Sequence, residues 1–147
     1  MPKERNKADG YREKAYEGDT KAMNNLGVCY ERGTGVKVNL EMAFEWYMKA
    51  AEQGDVYGCF NVGECYYHGK GVEKNLEECV FWYELAANGG DAQAQFATGW
   101  FLMTGTGVKV SLELAFEWYM KAADKGDKNF EITWHRVNPS LAVYLSR

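Results

Sequence analysis

The sequence predicts an all-α protein, a right-handed superhelical solenoid of antiparallel helical hairpins. Three observations support this fold class. The chain repeats itself every 36 residues, as from Gly18 to Gly54. Each repeat contains two segments with the apolar spacing of an amphipathic helix. The only prolines, Pro2 and Pro139, leave no helix breaker between them. One hairpin cannot bury its apolar face alone, whereas stacked hairpins can.

The repeat divides a single domain, residues 1–147, into three units and two ends. The units, which align without gaps, are residues 19–54, 55–90 and 91–126. Residues 5–18 match only the second half of a unit and predict an N-terminal capping helix. Residues 127–147 depart from the pattern, so we expect a divergent C-terminal cap there.

The first helix of a unit is expected at about residues 20–31 of the first unit. Asp19, Asp55 and Asp91 stand where an N-cap belongs, and the glycine before each suits a left-handed position. The apolar spacing predicts a buried face made of Ala22, Leu26, Cys29 and Tyr30.

The second helix follows a Gly-x-Gly turn and is expected to begin after Asn39, Asn75 or Ser111 as N-cap. In the first unit its predicted buried residues are Leu40, Ala43, Phe44 and Tyr47. Its predicted outward charges are Glu41, Glu45 and Lys49.

The composition excludes several classes of protein. The net charge is −4, so nucleic acid is not an expected partner. No run of apolar residues approaches the length of about 18 that a membrane-spanning helix needs. Four cysteines in a chain of 147 residues are too sparse for a disulfide scaffold. We therefore expect reduced thiols and a cytoplasmic protein, with secretion left open.

The recurring residues resemble the Sel1-like repeat family, a relative of the tetratricopeptide repeats. In the first unit they are Leu26-Gly27, Tyr30, Gly33-x-Gly35-Val36, Ala43, Trp46-Tyr47, Ala50-Ala51 and Gly54-Asp55. The resemblance covers about residues 11–127 and implies an adaptor, as in signalling, protein quality control or bacterium–host contact. One secreted branch joins helices through paired cysteines. Here Cys59 lacks such a partner, because Ala51 stands eight residues before it.

A partner is expected on the concave surface, which the first helices of a hairpin stack line. Their outward stripe changes from charged to aromatic along the chain, and exposed aromatic residues on rigid helices are good anchors. The candidate partner-binding residues are Asn24, Val28, Tyr57, Phe60, Glu64, Tyr67, His68, Gln93, Phe96, Trp100 and Met103. The alternative is internal packing, in which Phe130, Ile132 and Trp134 fold back over this stripe.

Catalytic and metal-binding chemistry are not expected. The Gly-x-Gly turns lack the Lys-Ser/Thr ending of a phosphate-binding loop. Cys65 and His68 have a spacing that can share a metal, but no second pair of ligands accompanies them. We predict no enzyme, no metal and no cofactor.

The sequence favours a protein-interaction module, an adaptor or scaffold that binds a peptide or helix segment of another protein on its aromatic concave surface. One alternative is a small inhibitor or effector of a larger host or phage-defence machine, acting through the acidic surface of Glu41, Glu45, Glu113 and Glu117. A weak hydrolase and self-association are further alternatives.

Overall fold

The computed structural model describes residues 4–124, which contain seven α-helices and no strand. The predicted C-terminal cap at 127–147 lies outside the described residues. The helices are α1 (Lys7–Tyr16), α2 (Thr20–Arg32), α3 (Leu40–Glu52), α4 (Val56–His68), α5 (Leu76–Asn88), α6 (Ala92–Thr104) and α7 (Leu112–Asp124).

The helices form an all-α stack of hairpins. Each helix packs against the next one along the chain, and α2 also contacts α4, the first helix of the following hairpin. Helix α1 lies within residues 5–18, and its buried Ala8 and Ala15 pack with α2 and α3 residues in one apolar cluster. A longer cluster continues from α3 to α7.

The helix caps agree with the sequence prediction. The carboxylate of Asp19 accepts a hydrogen bond from the backbone N–H of Ala22 at 3.1 Å. Asp55 and Asp91 cap α4 and α6 in the same way. The second helices begin after Asn39, Asn75 and Ser111, whose side chains accept from the residue three positions on. The recurring polar residues therefore set where each helix begins.

Glycine recurs inside the first helix of each hairpin because a tyrosine ring packs directly on its backbone. A Cβ added at Gly27 would lie 2.5 Å from Cε1 of Tyr47. Tyr83 and Tyr119 cover Gly63 and Gly99 in the same manner. This contact joins the two helices of every hairpin and explains why the glycine and the tyrosine repeat together.

The prediction that Leu40 belongs to the core is wrong. Leu40 was expected to be buried, yet its side chain is 39% exposed. Leu40 is the first residue of α3, and helical side chains lean toward the preceding turn, which at this point is no longer helix. The helix core starts one turn later, at the buried Ala43.

The burial of two cysteine thiols and three tyrosine phenols predicts that the folded protein loses stability at alkaline pH. Burial raises the pKa of the Cys65 and Cys79 thiols to about 12. Burial also raises the pKa of the Tyr47, Tyr83 and Tyr119 phenols above their usual range. In the unfolded chain these groups release protons at pH about 8.5 to 10, so above that pH the unfolded state binds fewer protons than the folded state.

With respect to these groups, stability is fully present below pH about 8.5 and falls as the pH rises toward about 12, where the buried thiols titrate. The check is urea denaturation at about pH 7.5, 9 and 10.5 in reducing buffer. A midpoint that does not decrease over this range would show that the five groups titrate alike in both states.

Candidate functional site

The first helices α2, α4 and α6 lie along one face of the stack, and their outward stripe forms the surface we call the floor. Its members are Lys21, Asn24, Val28, Glu31 and Arg32 on α2, Tyr57, Phe60, Glu64, Tyr67 and His68 on α4, and Gln93, Phe96, Trp100, Met103 and Thr104 on α6. Two depressions open on this floor, a polar one between α2 and α4 and an aromatic one between α4 and α6.

The polar depression has a volume of about 510 Å³. Its lining residues are Lys21, Asn24, Asn25, Val28, Asp55, Tyr57 and Asn61. Tyr57 is the most solvent-accessible of its aromatic and aliphatic side chains, with 68% of its surface exposed. Nearby, Lys70 Nζ of the second hairpin lies 3.0 Å from Oε1 of Glu31 on the first hairpin. The charge of Glu31 is therefore paired within the protein.

Asn24 does not lie free on the floor as the sequence suggested. Only 8% of it is exposed. Its Nδ2 donates to Oδ1 of Asp55 at 2.8 Å, and its Oδ1 accepts from Asn61 at 3.5 Å. Because Asp55 is the N-cap of α4, Asn24 joins α2 to the start of the next hairpin. Both polar atoms of the Asn24 amide therefore form hydrogen bonds with the next hairpin.

The aromatic groove is the depression between α4 and α6, with a volume of about 340 Å³. Its lining residues are Glu64, Tyr67, His68, Tyr83, Phe96, Ala97, Trp100 and Phe101. Five of these eight side chains are Phe, Tyr or Trp. Tyr67, Phe96 and Trp100 are half-buried, so each presents part of its ring to solvent while the rest is packed.

The base of the groove is fixed by ring packing and one hydrogen-bonded acid. The rings of Tyr83 and Phe101 are buried, with centroids 5.5 Å apart. The Tyr83 hydroxyl donates to Oε1 of Glu64. Burial, together with this bond, raises the pKa of Tyr83, so the phenol keeps its proton and remains a donor.

Glu64 also approaches the one histidine of the groove. Its Oε2 lies 3.6 Å from Nε2 of His68, one helical turn further along α4. The carboxylate is thereby held between Tyr83 and His68 at the edge of an otherwise aromatic surface. The groove offers apolar area, one oriented acceptor and one imidazole that donates or accepts.

The repeats themselves decide the family. The sequence pattern of the family described as Sel1 repeat matches residues 20–55, 56–91 and 92–127. The chain belongs to the Sel1 repeat family. Each matched segment begins one residue after the corresponding predicted unit, 19–54, 55–90 or 91–126. No curated protein matches the chain significantly by sequence.

Solved structures of bacterial Sel1 repeat proteins share the fold. A Sel1 repeat protein from Oxalobacter formigenes is 38% identical with a TM-score of 0.76, over 79% of this chain and 48% of that one. The antigen c5321, present in uropathogenic Escherichia coli, is 33% identical with a TM-score of 0.80, over 84% and 26%. Cysteine-rich protein B of Helicobacter pylori is 25% identical with a TM-score of 0.66, over 84% and 94%. The chain therefore spans about half of the first relative and about a quarter of the second.

The structure separates the eleven candidate residues into three groups. Glu64, Tyr67, His68, Phe96 and Trp100 line the aromatic groove. Asn24, Val28 and Tyr57 line the polar depression. Phe60 packs its ring edge-on against Tyr83 at 5.2 Å, Met103 packs on the core and Gln93 is exposed, and none of these three lines either depression.

Sequence reasoning missed the base of the groove. Tyr83 and Phe101 occupy positions of the repeat that were assigned to the core, and both are indeed buried. The available signal was at Phe101, where the two preceding repeats have Cys29 and Cys65. A ring in place of a thiol extends the core outward until it reaches the groove.

The thiols and the acids of the described part form no metal centre. Between residues 4 and 124, no group of three or more His, Cys, Asp or Glu side chains is placed to hold a metal ion. The four cysteines are all buried and free, and burial was predicted for Cys29. None of the helices in this range has the length and hydropathy of a bilayer-spanning helix.

Proposed function

We propose that this Sel1 repeat protein is a protein-interaction module that binds a segment of a partner protein in the aromatic groove. Proteins of this repeat type are generally protein-interaction modules. The observation that carries the proposal is the groove itself, where Tyr67, Phe96 and Trp100 are half-buried around about 340 Å³. Aromatic rings held on rigid helices supply large contact area at a low entropic cost and dominate many interfaces.

The groove also has a means of fixing the partner's register. Glu64 is oriented by Tyr83 and by His68, so its carboxylate needs little reorganisation to accept a hydrogen bond from a partner backbone or side chain. The bound segment would therefore place an apolar side chain between Phe96 and Trp100 and a donor beside Glu64.

The experiment compares two phenylalanines that stand at the same repeat position. Phe96→Ala is expected to weaken partner binding by about 2 kcal/mol, or about thirtyfold, because Phe96 lines the groove. Phe60→Ala is the matched control, since Phe60 and Phe96 each pack edge-on against a tyrosine with centroids 5.2 Å apart. The two variants should lose similar stability in thermal denaturation.

The partner is obtained by affinity capture from native lysate and its binding is then measured by titration calorimetry with each purified variant. Trp100→Val, which introduces the residue found at position 28 of the first repeat, should lose binding like Phe96→Ala. Equal affinity of wild type and both groove variants would place the partner elsewhere. A wild-type dimer that Phe96→Ala dissociates would mean that the groove serves self-association.

A further inference from the structure

The outward face of α5 breaks the pattern of the other two second helices. Phe81 and Leu85 lie one turn apart on this face and are 54% and 41% exposed. At the same two repeat positions the other helices are charged and exposed, with Glu45 and Lys49 in α3 and Glu117 and Lys121 in α7. At these two repeat positions, only the middle repeat has apolar side chains.

The flanking repeats show what normally covers the neighbouring tryptophan. Lys49 Nζ lies 4.2 Å from the ring centroid of Trp46, and Lys121 Nζ lies 4.4 Å from that of Trp118. Such a stacked ammonium is attracted by the negative face of the ring. Each of these lysines stands three residues after its tryptophan.

In the middle repeat this cation is missing. Leu85 occupies the lysine position, and its aliphatic side chain has no charge to place over the ring of Trp82. Trp82 is half-buried, whereas Trp46 and Trp118 are buried. Among residues 4–124, no lysine or arginine lies over the Trp82 ring. The middle repeat therefore has the ring without its cation.

The charges around this pair point to a cationic occupant. The exposed side chains of Glu77, Glu78 and Glu84 surround Phe81 and Leu85 on α5, and this helix contains no Lys, Arg or His. In α3 and α7 a lysine offsets part of the acidic charge. The α5 face thus combines three glutamates, with no cation on the same helix, and the exposed side chains of Phe81 and Leu85.

We propose that this α5 face, formed by Glu77, Glu78, Phe81, Trp82, Glu84 and Leu85, is a second binding surface, for a basic amphipathic segment of a protein partner. A lysine or arginine of that segment lies over Trp82, as Lys49 and Lys121 do over the equivalent rings. Its apolar side chains pack on Phe81 and Leu85, and further cations face the glutamates. A second copy of this chain fits poorly, because it would bring two sets of α5 glutamates together.

The test uses a defined probe, a fluorescein-labelled helical peptide with leucines one turn apart and lysine and arginine beside them. Binding is followed by fluorescence anisotropy. The variant Phe81→Glu/Leu85→Lys leaves the net charge unchanged and gives α5 the residues found in α3 and α7, which should preserve the fold. We expect it to weaken peptide binding about tenfold or more, with an unchanged melting curve.

Matched charge variants separate this surface from general attraction to an acidic protein. Glu78→Gln/Glu84→Gln should lower the affinity for the peptide several-fold. Glu41→Gln/Glu45→Gln on α3 should leave that affinity unchanged. The proposal is overturned if Phe81→Glu/Leu85→Lys binds like wild type, or if both pairs of glutamine variants weaken the peptide equally. It is also overturned if the wild-type protein does not bind the peptide and instead forms a dimer that Phe81→Glu/Leu85→Lys dissociates.

Discussion

Replacing Gly71 by alanine is expected to lower the free energy of unfolding by about 3 kcal/mol or more, the largest single effect we predict. Gly71 lies in the turn between α4 and α5 with φ at +69°, a left-handed conformation that disfavours side chains. A Cβ there would also overlap the carbonyl group of Leu40, which is backbone of the previous hairpin. The whole turn must move away from α3 to accept it.

Gly69→Ala isolates the contact between repeats. Gly69 has nearly the same φ, +71°, but the nearest atom to an added Cβ is Lys74 Cβ at 3.5 Å, an ordinary contact. Only the conformational cost remains, about 1 kcal/mol. Urea denaturation followed by circular dichroism measures both variants. If they lose the same stability, the turn of one repeat does not pack on the backbone of the repeat before it.

Asp55→Ala is the second large effect, with an expected loss of about 3 kcal/mol. Asp55 caps α4 by accepting from the backbone N–H of Gly58 at 2.8 Å. It also accepts from Asn24 at 2.8 Å and from Thr20 at 2.9 Å, both on the previous hairpin. Alanine would remove the cap and the inter-repeat bonds together, and it would deprive the buried Asn24 amide of its acceptor.

The chain contains the matched control for this variant. Asp91 caps α6 through Ala94 N–H at 2.8 Å, but the residues that correspond to Thr20 and Asn24 are Val56 and Phe60, which cannot donate. Asp91→Ala should therefore cost about 1 kcal/mol, the usual value of a cap. Equal losses at Asp55 and Asp91 in urea denaturation would contradict a role for Asp55 between repeats.

The helices could be predicted from sequence because their boundaries depend on local chemistry. Asp19 and Asn39 cap the helices that follow them through atoms three residues away. The Gly33 turn adopts a left-handed conformation that glycine favours. Each such signal recurs in three copies, so chance matches are easily rejected.

The contacts between repeats could not be predicted in the same way. Asn24 bonds to Asp55, 31 residues along the chain, and nothing in the local pattern of α2 distinguishes an amide that meets the next hairpin from one that meets solvent. A helical wheel gives the direction of a side chain but not the distance to the neighbouring helix. The burial of Asn24 follows from how closely the hairpins stack.

Only part of the groove lies on the stripe that the sequence predicted. The predicted outward stripe of α4 and α6 includes Tyr67 and Trp100, which line the groove, because the helical period fixes which residues share a face. The base, formed by Tyr83 and Phe101, needs the packing of α5 against α4 and α6. The apolar pair on α5 was readable from the repeat alignment, since Phe81 replaces Glu45 and Glu117.

Site-specific photo-crosslinking in native lysate tests directly whether a partner protein binds in the aromatic groove. One form carries a photoreactive phenylalanine at Gln93, exposed on α6 one turn before Ala97 of the groove, and another carries it at Glu45, exposed on the outer face of α3. We predict a covalent adduct from position 93 that Trp100→Val abolishes, and none from position 45. An adduct from position 45 with none from position 93 would show that the partner binds outside the groove.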